Sequence, residues 1–117
     1  MIRSLYVAAT CISWSVVAVA GHPDCAGVER WPTRMAFAHL KNAGLTSYDR
    51  LDFSKTKTVR LASEQIGQDL YRQIHLVIFA EKDGETLEVV TESDASMEEC
   101  SMSDVEVFVI SRRLGGR

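Results

Sequence analysis

The pattern of apolar and polar positions is clearest over residues 70–91, where two partly alternating runs flank Asp83-Gly84. Alternation is typical of β-strands, because successive side chains of a strand point to opposite faces. An Asp-Gly pair between two such runs favours a two-residue type I′ turn, in which both central residues need positive φ. The sequence therefore predicts an antiparallel hairpin in which Lys82 pairs with Glu85.

This register divides the hairpin into two faces. A slip of one residue would set Ile78 beside Glu88 and bury an acid, which argues for the two-residue turn. One face is largely apolar and is expected to form the core beneath a helix: Leu70, Ile74, Leu76, Ile78, Ala80, Leu87 and Val89. The other face combines acidic residues with Tyr71, His75, Val77, Phe79 and Val90. Either other parts of the chain cover this second face, or it is an exposed patch that binds a partner.

A helical period appears before the hairpin, within residues 28–43. Its apolar residues recur at spacings of three and four: Ala36, Phe37, Leu40 and Ala43. Pro32 suits the first turn of a helix, and Gly44 suits the position that ends one with positive φ. We expect one helix that covers the core face of the hairpin.

Two more strands are predicted, near residues 57–65 and 105–111. The second is an almost continuous apolar run, Val-Glu-Val-Phe-Val-Ile-Ser, which favours a central position buried on both faces. The predicted fold class is therefore α+β, with one main N-terminal helix packed on an antiparallel sheet of about four strands.

Residues 1–20 have the three parts of a cleavable secretory signal peptide. Arg3 supplies a positive start, residues 5–20 form an uncharged and mainly apolar run, and Ala18-Val19-Ala20 precedes Gly21 as a small-x-small cleavage site. The alternative is a membrane anchor, but the run is short for one and is diluted by hydroxyl residues. We expect a single domain over residues 21–117 with a flexible tail at 112–117, located in the periplasm or secreted, and not inserted in a membrane after signal removal.

Cleavage would leave Cys25 and Cys100 as the cysteines of the mature chain. Two cysteines in an exported domain most simply form one disulfide, while free thiols or an intermolecular bond are the alternative. A bond between Cys25 and Cys100 would tie the start of the helix to the loop before the last strand.

Charge and motifs narrow the range of functions. The net charge of −3 offers no basic surface for nucleic acid. The chain has no nucleophile elbow, phosphate-binding loop or zinc-protease motif, and the acidic segment 92–104 lacks calcium-binding spacing, so no cofactor or metal is predicted. The alternative is a small secreted hydrolase or metal-binding protein that uses His39 or His75 with acids such as Glu64 or Glu88.

Three segments carry a limited resemblance to known sequences. They are Asp-Leu-Tyr-Arg-Gln-Ile-His-Leu at 69–76, Asp-Ala-Ser-Met-Glu-Glu-Cys-Ser-Met-Ser at 94–103, and Val-Glu-Val-Phe-Val-Ile-Ser at 105–111. Together they resemble a C-terminal block of small exported proteobacterial proteins of unknown function. The resemblance implies a bacterial exported protein and transfers no catalytic residue. The absence of a catalytic set, the second hairpin face and the acidic segment favour a non-enzymatic binding module, an inhibitor or an envelope- or host-facing protein, whose partner is another protein.

Overall fold

The computed structural model describes residues 21–110 and Leu114, so the predicted signal peptide and most of the predicted tail lie outside the described residues. The elements in chain order are α1 (Trp31–Asn42), β1 (Lys57–Gly67), β2 (Leu70–Ala80), β3 (Thr86–Ala95) and β4 (Glu106–Val109). The strands form one antiparallel sheet in the order β1-β2-β3-β4, with α1 packed on one side. The predicted fold class is confirmed.

The ends of α1 follow from its sequence. A proline occupies the first turn, where a missing N–H leaves no hydrogen bond unmade. Gly44 has φ of 74°, as expected for the residue that ends the helix. The Trp31 indole N–H donates to the Ser103 carbonyl oxygen at 3.1 Å, and this bond holds the start of α1 against the loop before β4.

The core lies between α1 and the two central strands. Ala36 and Leu40 of α1 pack with Val77 and Phe79 of β2 and with Val89 of β3, and all five side chains are buried. Burial of these apolar groups supplies most of the free energy that holds α1 on the sheet.

The N-terminal segment covers the part of the helix side of the sheet around Gln73 and Arg60. The Gln73 side-chain amide donates to the Pro23 carbonyl oxygen at 2.8 Å, and the Arg60 guanidinium donates to the same oxygen at 3.2 Å. Cys25 follows and forms a disulfide with Cys100, whose Cα lies 5.7 Å away. The predicted bond is present, and it fixes this segment to the loop between β3 and β4.

The predicted register of the hairpin is wrong by one residue. The Glu81 N–H donates to the Glu85 carbonyl oxygen at 2.8 Å, so three residues, not two, form the turn, and Gly84 takes positive φ at 92°. A three-residue turn of this kind places its glycine at the left-handed position before the strand resumes. Ile78 consequently lies beside Glu88, the pairing that the sequence argument had rejected.

The acid is accommodated because that face of the sheet is not the core. Tyr71, His75, Val77 and Phe79 point toward α1 and the N-terminal segment, with exposed fractions of 8%, 0%, 0% and 0%. The predicted assignment of the two β2 faces was therefore inverted. Strand β2 has apolar side chains at most positions of both faces, so alternation along the strand cannot indicate which face is covered.

The prediction of a central final strand is also wrong. Strand β4 pairs only with β3 and forms one edge of the sheet. Phe108 and Val109 are exposed, so the continuous apolar run does not reflect burial on both faces.

The disulfide is expected to contribute a large part of the stability. It joins residues that are 75 positions apart, and for a loop of this length the loss of chain entropy in the unfolded state is worth up to about 4 kcal/mol. Replacing both cysteines, Cys25→Ser with Cys100→Ser, should lower the free energy of unfolding of residues 21–117 by about 3 kcal/mol in urea titrations. Dithiothreitol should destabilise the parent domain and leave the double variant unchanged. Equal stability of the two proteins would contradict this role.

Candidate functional site

The residues predicted to form an interaction face do not share one surface. Tyr71, His75, Val77 and Phe79 lie under α1 and the N-terminal segment, whereas Val90 lies on the opposite side of the sheet. That opposite side, away from α1, is called the open face below. Among the described residues, no helix packs against it.

An apolar row crosses the open face from one edge to the other. Val59 of β1 pairs with Leu76 of β2, Leu76 pairs with Val90 of β3, and Val90 pairs with Phe108 of β4. Directly paired residues have their side chains on the same face, so these four form a continuous line. The two ends are well exposed, Val59 at 48% and Phe108 at 54%, and the two central members are half-buried.

Carboxylates flank this apolar row on the β3–β4 side. On one side of the row Glu92 pairs with Glu106, and Asp94 follows two residues further along β3. The Arg72 guanidinium lies 3.1 Å from Asp94 and 3.6 Å from Glu92, so it offsets part of this charge. The open face thus combines an apolar centre with an acidic border.

A buried polar cluster occupies the helix side of the sheet near the disulfide. His75 pairs directly with Thr91, and Gln73 is the next residue of β2 on that face. Among the described residues, both ring nitrogens of His75, the Thr91 hydroxyl and the Gln73 side-chain oxygen are buried without a hydrogen-bond partner. Burial, aided by the positive charge of Arg60 and opposed by Asp24, lowers the pKa of His75 to about 4.

The structure does not place His75 beside Glu64 or Glu88, because both acids pair with β2 residues of the open face and His75 lies on the helix side. His39 is exposed near the end of α1, whereas His75 is fully buried on the helix side of the sheet. Within the described part of the chain, no group of three or more His, Cys, Asp or Glu side chains could hold a metal ion.

Two grooves flank α1. One, of about 530 Å³, separates the last turns of α1 from β4, and its lining includes His39, Leu45 and Val107. The other, of about 510 Å³, is bordered by Phe37, Tyr48 and Phe53. These three rings pack edge to face or tilted against one another, with centroids 5.2 to 6.4 Å apart.

Comparisons of the chain with protein-family models, curated proteins and solved structures find no match. No helix among the described residues is long and apolar enough to cross a membrane.

The apolar row was not predicted, although each of its members lies in a predicted strand or hairpin. Alternation within a strand shows which residues share a side of that strand. Only the pairing of neighbouring strands shows which side of each strand belongs to the same face of the sheet. The bulge at Leu61 and the three-residue turn after β2 set that pairing.

The two phenylalanines of the sheet should respond differently to truncation. Phe79 is fully buried under α1, so Phe79→Ala should lower the free energy of unfolding by about 4 kcal/mol through a lost core contact and a cavity. Phe108 lies on the open face, so Phe108→Ala should change it by about 0.5 kcal/mol or less. Urea unfolding of both variants measures the difference. If Phe108→Ala lowered the free energy of unfolding by clearly more than this, the open face would be covered in the protein.

His75 should make the domain acid-sensitive. Its pKa is about 4 when folded, against about 6.5 when unfolded, so between these pH values the unfolded chain binds a proton that the folded chain does not. Stability is therefore full above about pH 6.5, and up to about 3 kcal/mol of it should be lost as the pH falls to about 4.

The variant His75→Leu should remove this part of the pH dependence, because no group titrates at that position. His39→Gln changes an exposed histidine and leaves His75 in place, so this matched control should keep the loss of stability that His75 causes. Urea titrations at intervals between pH 7 and 4 give the three curves. Parallel curves for His75→Leu and the parent would show that His75 does not cause the acid sensitivity.

Proposed function

We propose that the protein is an exported, non-enzymatic binding module that contacts another protein through the open face of its sheet. The observation that carries this proposal is the apolar row of Val59, Leu76, Val90 and Phe108, which leaves two large apolar side chains about half exposed at its ends. Contiguous exposed apolar surface is uncommon on monomeric proteins and is typical of interaction sites.

The border of the row indicates the chemistry of the partner. Glu92, Asp94 and Glu106 lie beside the apolar row, and Arg72 is the cation that approaches two of them. A complementary surface would have an apolar centre and a basic rim on the side that meets β3 and β4. Opposite charges at such a rim raise the rate of association more than the affinity, because the rim stays hydrated.

Two features support export. Residues 1–20 have the pattern of a signal peptide, and the domain that follows carries a disulfide, a bond that persists in oxidising compartments. An exported domain whose stability depends on a disulfide suits a role in the periplasm or outside the cell.

The alternative of a hydrolase or metal-binding protein has less support. It depends on His39 and His75, and the second of these is buried without a hydrogen-bond partner for either ring nitrogen among the described residues. General acid–base chemistry needs a group within hydrogen-bond reach of a substrate, a position that a sealed side chain does not have.

The test is capture with immobilised residues 21–117 from envelope extract and culture medium, followed by binding measurements with the purified partner. Val59→Ser and Phe108→Ser should each weaken the purified complex roughly tenfold, because both remove apolar contact at the interface. Tyr48→Ser is the control, since Tyr48 is also an exposed apolar side chain, at 69%, but lies beside α1. The association rate should fall as salt is raised. If Tyr48→Ser weakens the complex and the two open-face variants do not, the open face is not the binding surface.

A further inference from the structure

The outer edge of β4 carries backbone groups that point away from the sheet. The Ile110 N–H donates to the Glu88 carbonyl oxygen at 2.9 Å. In an antiparallel pair every second residue bonds to the same neighbour, so Ile110, Phe108 and Glu106 direct their N–H and C=O groups toward β3. The N–H and C=O groups of Val107 and Val109 therefore point outward. Among the described residues, no turn, loop or cap forms a backbone hydrogen bond with Val107 or Val109.

The two edges of the sheet differ in how they are protected. Strand β1 has two register irregularities and carries charged side chains, Lys57, Arg60 and Glu64, which discourage pairing with another strand. Strand β4 pairs with β3 without any irregularity, and three of its four residues are apolar. Of the two, β4 is the edge that can accept a further strand.

We propose that two copies of this chain pair through β4, antiparallel, about a twofold axis at Phe108. Val107 then lies opposite the partner's Val109, and each such pair exchanges backbone hydrogen bonds from the outward-pointing groups. The twofold axis produces this contact twice, once with Val107 from each copy, so the interface is isologous. The result is a single sheet built from the strands of both copies.

Side chains on both faces suit this register. Val107 is half-buried and Val109 exposed on the α1 side, beside the groove that Leu45 borders, so the added valines would lie against apolar lining. On the open face the two copies of Phe108 become neighbours, and the apolar rows of the two copies join end to end. Glu106 faces the partner's Ile110 in this register, so no pair of like charges is created directly across the axis.

This self-association goes beyond the proposed function and does not depend on it, because it uses the edge of the sheet. The strand has four residues, so the contact is short. We therefore expect a weak dimer that forms only at high protein concentration.

Crosslinking tests the register. Phe108 would lie opposite its own copy at a non-hydrogen-bonded site, where Cα atoms are about 4.5 Å apart and a disulfide can form. Phe108→Cys in residues 21–117, oxidised with oxidised glutathione, should give a covalent dimer on a non-reducing gel. Val59→Cys is the matched control, because it is similarly exposed on the same apolar row but lies on β1. A monomeric Phe108→Cys protein, or equal crosslinking of the two variants, would overturn the proposal.

Sedimentation equilibrium from about 1 µM to about 1 mM tests the hydrogen bonds. Val109→Pro removes only an outward N–H and leaves the bonds to β3 intact, as proline can at an edge. It should weaken the dimer at least tenfold, since the symmetry removes the bond twice. Val109→Thr keeps the N–H and a branched side chain and should behave as the parent. Undiminished dimerisation of a folded Val109→Pro protein would refute the interface; if that variant does not fold, the cysteine pair decides.

Discussion

A sheet of four strands has two faces, and within the described residues this chain has one helix to cover them. That constraint determines most of the molecule. Helix α1 is long enough to cover Val77, Phe79 and Val89, and the rest of the same face needs a second cover. The segment after Gly21 supplies it through polar contacts of Pro23 and through the disulfide at Cys25. Nothing comparable among the described residues remains for the opposite face.

The two halves of the covered face differ in chemistry because their covers differ. Under α1 the sheet presents apolar side chains, which pack against Ala36 and Leu40. Under the N-terminal segment it presents Gln73 and His75, and only Gln73 has a described hydrogen-bond partner for its nitrogen. Buried polar groups without partners reduce stability. The disulfide lies at this same end, where it offsets that cost by restricting the unfolded chain.

The parts of the fold that could be predicted are those that depend on local chemistry. Pro32 and Gly44 mark the ends of α1 because each favours a particular φ, and Cys25 and Cys100 could be paired because two cysteines in one exported domain are expected to form one disulfide. Register could not be predicted in the same way. The turn at Asp83-Gly84 suits two-residue and three-residue loops alike, and both use positive φ at the glycine. One residue of difference moved the expected partner of Phe79 from Glu88 to Leu87.

The same uncertainty inverted the candidate site. Since β2 is apolar on both sides, the choice of face rested on its neighbours, and the neighbour β3 was set in the wrong register. The sequence left open whether the second hairpin face is covered by other parts of the chain. On β2 that face is covered, and the face without a described helix is the one that carries Leu76 and Val90. Only the contacts of α1 show which face is covered, and the pattern of residues within the hairpin does not predict those contacts.

The open face and the edge of β4 meet at Phe108, and this links the two proposed contacts. A partner bound on the open face would cover the end of the apolar row, and a second copy at the edge would extend the row. If both occur, the dimer presents one apolar surface with acidic borders on both sides of its twofold axis. Such a surface favours a partner that is itself symmetric or elongated, because only that shape can contact both rows at once. In that dimer Phe108 lies where the two apolar rows join, so its position defines the shape of the combined surface.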